Sequence, residues 1–164
     1  MTTGGTIEKS YSEEEGSLKN RESLLRKKLI EKLRLPCTNI KVKEIMAKDS
    51  LEMDDDDREK ICLHIQEALA HADAIVVLHG TDSLDKTLQY CYQHLSSPPK
   101  PVVFTGAMKP AGFDDSDALQ NFTEALFASQ FVEPDYYLAF HGQLFSGPFI
   151  KKNKEKNTFE STKI

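Results

Sequence analysis

Apolar positions along the chain follow two patterns, short continuous runs and stripes that recur every three or four residues. The runs are typical of strands buried on both faces of a parallel sheet, and they lie at residues 74–78, 101–104 and 136–140. The stripes predict amphipathic helices, which we place at residues 17–35, 54–71, 83–95 and after residue 117. Strands that alternate with helices predict an α/β fold: a doubly wound, mostly parallel sheet with helices on both faces.

Weaker patterns lie between these elements. Residues 39–46 alternate apolar and lysine positions, which predicts another strand. Residues 8–16 are polar and acidic around Tyr11, which predicts a loop. Residues 141–143 have the composition of a turn and lead into the apolar segment 144–149.

The chain opens with residues that usually follow a strand. Gly4, Gly5 and Thr6 have the composition of a turn between a strand and a helix, but only three residues precede them. We therefore expect the first strand of the sheet to be truncated, and a trimmed start is our preferred explanation. The remaining pattern predicts a single domain over residues 1–164.

The acidic run Asp54–Asp57 allows two interpretations. A calcium loop of the EF-hand type needs a central glycine and a distal bidentate glutamate at fixed positions, and neither is present. Acidic residues are also favoured in the first turn of a helix, where they face the positive end of the helix dipole. We interpret the run as the start of a helix and expect no metal site.

Composition and charge exclude several classes of protein. The net charge is -5, which disfavours binding to nucleic acid or to an anionic membrane surface. No apolar run approaches the roughly 20 residues that span a bilayer. Three cysteines without metal-type spacing, and no signal peptide before the first motif, predict reduced thiols in a cytoplasmic protein.

The stretch from Leu78 to Ser83 carries the clearest chemistry. It joins a buried strand to an amphipathic helix, and Gly80 permits a tight turn with close backbone approach. Thr81 and Asp82 then lie at the carboxyl end of the sheet, where open α/β folds bind ligands, beside the unpaired N–H groups of a helix start. A capped turn that happens to contain glycine explains the same residues equally well.

The other turns at this edge supply hydroxyls rather than metal ligands. The candidates are Thr6, Ser50, Thr81 with Asp82, and the turn at Thr105 and Gly106. We find neither a Ser/Cys–His pair at a recognisable elbow nor a glycine-rich nucleotide fingerprint. A threonine hydroxyl needs a base, and a nearby lysine whose pKa is lowered by burial would provide one. The residues alone indicate a hydroxyl-nucleophile transferase or hydrolase.

Three motifs in order give the chain a resemblance to a known family. Residues 3–7 read Thr-Gly-Gly-Thr-Ile, residues 79–83 read His-Gly-Thr-Asp-Ser, and residues 101–110 read Pro-Val-Val-Phe-Thr-Gly-Ala-Met-Lys-Pro. In this order and at these intervals they resemble the bacterial-type L-asparaginase family. The segments 116–121 and 147–161 resemble the next helix start and the next hairpin of that family.

The resemblance implies roles for individual residues. Thr6 matches the nucleophile that forms an acyl-enzyme, and Thr81, Asp82 and Lys152 match a second catalytic group. In that group the threonine attacks or activates water, the lysine lowers its pKa, and the aspartate orients it and holds the substrate α-amino group. The resemblance further implies that Ser50 holds the substrate α-carboxylate and that no cofactor is needed. A solvated tail lysine and a plain loop serine are the simpler alternatives for Lys152 and Ser50.

Two further implications concern Tyr11 and the length of the chain. Tyr11 matches the family's lid tyrosine, although it follows Thr6 more closely than we expect. Family members of ordinary length are about twice as long and carry a C-terminal domain that helps to complete a neighbour's pocket. This chain instead resembles the short-chain form that consists of the N-terminal domain only, so we expect a homo-oligomer.

These observations support three functional hypotheses. The first is an amidohydrolase that converts L-asparagine to L-aspartate and ammonia through a threonine nucleophile and an acyl-enzyme, with L-glutamine as the alternative substrate that the sequence leaves open. The second is a non-catalytic remnant that only binds an amino acid. The third is an ammonia-releasing subunit of a larger amidotransferase. The asparaginase-like subunit of the archaeal tRNA-dependent amidotransferase is such a protein, although it carries extra domains that are not seen here.

Overall fold

The structure of the chain, a computed structural model, describes residues 1–12, 17–20 and 29–163, with side chains for residues 1–7 and 29–163. The strands are β1 (Lys9–Ser12), β2 (Ser17–Asn20), β3 (Ile75–Leu78), β4 (Val102–Thr105), β5 (Tyr136–Phe140), β6 (Gln143–Ser146), β7 (Ile150–Asn153) and β8 (Thr158–Ser161). The helices are α1 (Asp55–Leu69), α2 (Leu84–His94) and α3 (Ala118–Ala128), with short 3-10 helices at Thr6–Glu8, Ile30–Lys32 and Ser50–Glu52.

The central sheet is mostly parallel. Its strand order is β3-β4-β5-β6; the first three strands run parallel, and β6 returns antiparallel to β5. All four residues of β4 are buried, as expected for a strand covered on both faces. The α/β class predicted from the sequence is therefore confirmed.

Helices cover both faces of this sheet. Successive residues of a strand point to opposite faces, so neighbouring residues of β3 show which helix packs on which face. Val77 of β3 belongs to the same buried cluster as Ile65 of α1 and Leu88 of α2. Its neighbour Leu78 packs instead in a second cluster with Phe122 of α3. The alternation places α1 and α2 on one face and α3 on the other, as in a doubly wound sheet.

Residues 1–3 form a short strand-like segment beside β3. Thr2 makes parallel bridges to Leu78 on one side and Glu44 on the other, and its N–H donates to the carbonyl of Lys43 at 3.0 Å. The predicted strand at 39–46 is thus reduced to a single bridge at Glu44. The segment that lies alongside residues 39–46 consists of residues 1–3, so few ladder hydrogen bonds form between them.

The prediction for the polar region near the start of the chain is wrong in two places. Residues 9–12, predicted as loop, form β1, and residues 17–20, predicted as the start of a helix, form β2 antiparallel to it. Backbone hydrogen bonds across a hairpin need no apolar periodicity, so the sequence pattern missed them. Residues 21–28 of the predicted helix lie outside the described residues, and its end contains only the 3-10 turn at Ile30–Lys32.

The hairpin β7–β8 brings the last part of the described chain back onto the domain. It is a separate two-stranded sheet, in which Lys152 pairs with Phe159. Phe159 is buried and meets Phe140 edge-on, with ring centroids 5.0 Å apart. The resemblance predicted a hairpin here, and in the structure β7 of this hairpin contacts α2.

No helix within the described parts of the chain combines the length and the hydropathy that crossing a membrane would need.

Candidate functional site

Three turns converge at the carboxyl end of β3. A Cβ on Gly5 would lie 2.4 Å from the Cα of Gly80, and a Cβ on Gly80 would lie 2.4 Å from the Oγ of Ser50. The backbone of Gly5 also has a φ of +84°, a region that side chains disfavour. Glycine at these two positions therefore lets the turns that carry Thr6, Ser50 and Thr81 touch one another.

The side chain of Lys152 joins two residues of the second motif. Its Nζ donates to Thr81 Oγ1 at 2.8 Å and to Asp82 Oδ1 at 2.8 Å. Thr81 is 3% exposed, and the side chains of Lys152 and Asp82 are 15% and 36% exposed. The site thus combines a nearly buried hydroxyl with an amine and a carboxylate that solvent or a ligand reaches.

Ser50 lies against the same turn. It is buried, and it begins the 3-10 helix Ser50–Glu52, which is capped by the Asp49 side chain accepting from the N–H of Leu51. The hydroxyl of Ser83 donates to the carbonyl of Ser50 at 2.5 Å. This hydrogen bond ties the Ser50 turn to the residue that precedes α2.

For Thr6 and Tyr11 the structure gives the position in the backbone but, within the described residues, no side-chain hydrogen bond to the other candidates. Thr6 is half-buried and begins the 3-10 helix Thr6–Glu8, one residue after the contact between Gly5 and Gly80. Thr81 follows Gly80 in the same way, so both threonines flank the point where the two turns meet. Tyr11 lies in β1 opposite Leu18, and its side chain lies outside what the structure describes.

His79 is a buried group of this turn to which the sequence analysis assigned no role. Its ring is fully buried; Nδ1 lies 2.9 Å from the carbonyl of Gly80, while Nε2 has no hydrogen-bond partner among the described residues. Because a carbonyl only accepts, the neutral ring donates from Nδ1. Burial lowers the pKa of His79 to about 4, so the ring stays neutral near pH 7.

Within the described residues, no group of three or more His, Cys, Asp or Glu side chains has the geometry to hold a metal ion. The polar groups at the site are the Thr81 hydroxyl, the Lys152 amine and the Asp82 carboxylate, beside the start of α2. This set suits the binding of a small zwitterion and the transfer of a proton to or from a hydroxyl.

Comparison with known proteins identifies what the chain is similar to. The family model described as "Asparaginase, N-terminal" matches residues 1–164. The L-asparaginase of Thermococcus kodakarensis is 34% identical over 113 residues, which are 69% of this chain and 34% of that protein. An L-asparaginase of Dirofilaria immitis is 35% identical over 116 residues, 69% of this chain and 20% of that protein.

Solved structures agree with the sequence relatives. The thermostable L-asparaginase from Thermococcus kodakarensis superposes with a TM-score of 0.90 at 30% identity, over 98% of this chain and 49% of that one. A probable cytoplasmic L-asparaginase from Campylobacter jejuni superposes with a TM-score of 0.81 at 24% identity, again over 98% of this chain and 49% of that one; this likeness supports the fold alone. The chain therefore spans about half the length of these solved structures.

Proposed function

The chain belongs to the asparaginase family, and from that membership we propose that it hydrolyses L-asparagine to L-aspartate and ammonia. The observation that carries the proposal is the position of Lys152 Nζ, 2.8 Å from both Thr81 Oγ1 and Asp82 Oδ1. This position brings an amine and a carboxylate to a nearly buried threonine hydroxyl, and these are groups that proton transfer to or from a hydroxyl uses.

The proposed reaction has two halves. In the first, the hydroxyl oxygen of Thr6 attacks the carboxamide carbon, its proton passes to the leaving nitrogen, and ammonia departs to leave an acyl-enzyme ester. In the second, water attacks that ester and restores the hydroxyl. We assign Thr81 and Lys152 to this second half: Thr81 orients the water, Lys152 Nζ, which donates to Thr81 Oγ1, stabilises the negative charge that develops there, and the proton of the water passes to the departing Thr6 oxygen.

The same groups are suited to hold the substrate. Asp82, still partly exposed, offers a carboxylate to the α-ammonium group of asparagine. Ser50 is the proposed donor to the α-carboxylate. Backbone N–H groups at the start of α2 would stabilise the oxyanion of the tetrahedral intermediate, a contribution of roughly 3–4 kcal/mol per donor where one has been removed in other enzymes. Tyr11 as a lid remains a proposal from the resemblance.

The proposal extends to assembly, substrate range and compartment. The chain spans about half the length of the solved structures that it matches, and we propose that a second copy of the chain contributes to the pocket and that L-glutamine is the alternative substrate. The three cysteines are free thiols in the structure, which supports a reducing, cytoplasmic setting. One relative, from Haemophilus influenzae, is described as periplasmic.

An ammonia-release assay on asparagine and glutamine tests this function. We expect Thr6→Ala, Thr81→Ala and Lys152→Met each to lower kcat by about 100-fold or more, the range for a lost acid–base group. The matched control is Thr123→Ala, which removes an exposed hydroxyl bonded to the carbonyl of Leu119 within α3 and is expected to leave turnover unchanged. Circular dichroism confirms that each variant is folded.

One competing function follows from the same length observation. A chain that spans about half the length of these solved structures is compatible with an amino-acid pocket that has no turnover. Thermal stabilisation by asparagine with no ammonia released would support that non-catalytic module and contradict the proposed hydrolysis. Unchanged turnover in both Thr6→Ala and Thr81→Ala would contradict the assignment of the threonines.

A further inference from the structure

Lys152 stands on an element that shares no strand pairing with the central sheet. The hairpin β7–β8 is a sheet of its own, so its backbone is not held by the ladder that fixes β3 and Thr81. A lysine side chain has four rotatable bonds, and its amine is only as well placed as the backbone from which it extends. The contacts that dock the hairpin therefore decide whether the amine meets Thr81.

The first docking contact lies on β7 at Lys152 itself. The backbone N–H of Lys152 donates to Asp85 Oδ2 at 3.3 Å. Asp85 belongs to the first turn of α2, three residues after Asp82, which accepts from the Lys152 side chain. One turn of the chain thus holds both the main chain and the side chain of the same lysine.

The second docking contact lies on β8. Thr158, which pairs with Asn153 in the hairpin, has its Oγ1 3.1 Å from Nδ1 of His141. The other ring nitrogen of His141 lies 2.9 Å from Asp117 Oδ2. In the neutral tautomer Nε2 donates to Asp117, and Nδ1 accepts the hydroxyl proton of Thr158.

Asp117 anchors this second contact to the central sheet. It accepts backbone N–H groups of Met108 and Lys109, at 3.0 Å each, in the turn after β4. Burial raises the pKa of its carboxyl, but these two hydrogen bonds and the one from His141 outweigh burial and hold the pKa below its usual value. The carboxylate therefore stays charged at neutral pH and forms a firm acceptor for His141.

We propose that Asp85 and Thr158 are positioning residues that hold the hairpin so that the Lys152 amine stays on Thr81. The catalytic consequence rests on the proposed function, whereas the placement of the amine does not. Misplacement of a reacting group by about 1 Å can cost on the order of 100-fold in rate, so the two hydrogen bonds that fix the hairpin matter for the proposed reaction. Neither residue contacts the Thr81 hydroxyl in the structure, so we do not call either one catalytic.

Labelling of Lys152 tests the placement without any turnover. The probe is an amine-acetylating N-hydroxysuccinimide ester, and the acetylation rate at Lys152 is read by peptide mass spectrometry against the exposed Lys154 of the same hairpin. We expect Asp85→Ala to raise the Lys152 rate several-fold relative to Lys154. Asp85→Asn keeps an acceptor oxygen and should stay near the wild-type rate, as should Asp56→Ala, which removes an exposed first-turn acid of α1.

Kinetics of ammonia release form the second arm. We expect Asp85→Ala to lower kcat by about tenfold with KM changed less than twofold, because Ser50 and Asp82 still hold the substrate. Thr158→Val, which keeps the shape and removes the hydroxyl, should act in the same direction, and Asp85→Asn should restore most of kcat. A loss of stability alone would reduce the amount of active protein without this selective rescue.

The two arms separate the two proposals. Faster labelling in Asp85→Ala supports the positioning role even if the wild-type chain releases no ammonia, which would contradict only the proposed function. Labelling and kcat that match the wild type in both Asp85→Ala and Thr158→Val would overturn the positioning role while leaving the hydrolysis intact.

Discussion

At the scale of single residues, the candidate site depends on two glycines and a histidine whose close packing or burial cannot be predicted from the residue type. Gly5 and Gly80 are required because two backbones touch where a Cβ would collide. His79 lies between β3 and this turn, fully buried and neutral, with only the carbonyl of Gly80 as a partner in the described structure. A charged imidazolium at this position would be desolvated, so protonation opposes the folded state.

We expect His79 to make the fold sensitive to mild acid. Its pKa is about 4 in the folded chain and 6.5 ordinarily, so the unfolded chain binds more protons between these values. Stability is then complete above about pH 6.5 and falls toward pH 4, by about 3 kcal/mol in total from this residue. Urea unfolding followed by circular dichroism from pH 4.5 to 7.5 measures the slope.

The comparison that isolates this residue is a His79→Gln variant. It should show a flatter dependence of the unfolding free energy on pH over the same interval, although its stability at pH 7.5 is lower. His71→Gln, at an exposed histidine at the end of α1, should keep the wild-type slope. Equal slopes in all three proteins would show that His79 is not the acid-sensitive group.

At the scale of elements, the acidic run at the start of α1 forms a capping box between Asp54 and Asp57. The side chain of Asp54 accepts from the N–H of Asp57 at 3.0 Å, and the side chain of Asp57 accepts from the N–H of Asp54 at 3.2 Å. Lys48 also hydrogen-bonds Asp57. Burial raises the pKa of Asp57, but the hydrogen bonds from Lys48 and Asp54 outweigh it and keep the pKa below its usual value.

We expect Asp54→Ala to lower the free energy of unfolding by about 1 kcal/mol, the usual cost of losing an N-cap side chain. Asp54→Asn keeps an acceptor for the Asp57 N–H and should lose only a few tenths. Asp56→Ala removes a neighbouring exposed carboxylate that takes no part in the cap and serves as the matched control. Urea denaturation distinguishes them, and equal losses for the Ala and Asn variants at position 54 would contradict the capping role.

At the scale of the whole molecule, the sheet has space for more chain beside β3. A cavity of about 560 Å³ lies between residues 37–42 and 71–76, and Met1 and Thr2 form part of its wall. Thr2 bonds to Lys43 on one side, and its neighbours Met1 and Thr3 bond to Leu78 on the other, so residues 1–3 occupy the place of one strand between the two segments. The amino group of Met1 donates to the carbonyl of Val76 at 2.7 Å, and both residues line the cavity.

We expect an N-terminal extension to fill this space. Four residues such as Val-Ile-Val-Val placed before Met1 would pair with β3 and bury apolar side chains, each contributing about 1.5–3 kcal/mol against an ordering cost of about 1–2 kcal/mol per residue. A net gain of a few kcal/mol should raise Tm by roughly 5–10 °C in differential scanning calorimetry. A Gly-Ser-Gly-Ser extension of equal length is the control, and an equal rise for both would show that the cavity is not a strand site.

Prediction from the sequence succeeded where short-range patterns decide the structure. The runs at 74–78, 101–104 and 136–140 became β3, β4 and β5, and the acidic run at 54–57 became a helix start. It failed at 17–20, which pair with residues 9–12 a few positions away, and at 39–46, where the alternating pattern predicted a strand but the structure keeps one bridge, at Glu44. The periodicity of a segment does not say which backbone lies alongside it, and that neighbour decides how much of a ladder forms.

Some residues of the candidate site could also be predicted from local sequence, and others could not. Thr81 and Asp82 follow a buried strand directly, so their place at the sheet edge could be predicted from local sequence. Lys152 lies 70 residues beyond Asp82, and only its resemblance to a family position drew attention to it before the structure placed it 2.8 Å from both side chains. Asp85 had no such signal, because its contact is with a main-chain N–H.

The sequence by itself determined helices α1 to α3, the parallel strands β3 to β5, the cap of α1, and the turn that presents a hydroxyl and a carboxylate. These features depend on interactions within a few residues, which composition and periodicity record directly. The tertiary structure decided which turns touch, how the hairpin docks and what lies beside Thr81. Those contacts join positions as far apart as Gly5 and Gly80, or Thr81 and Lys152, and only the packing of the whole core fixes their separation.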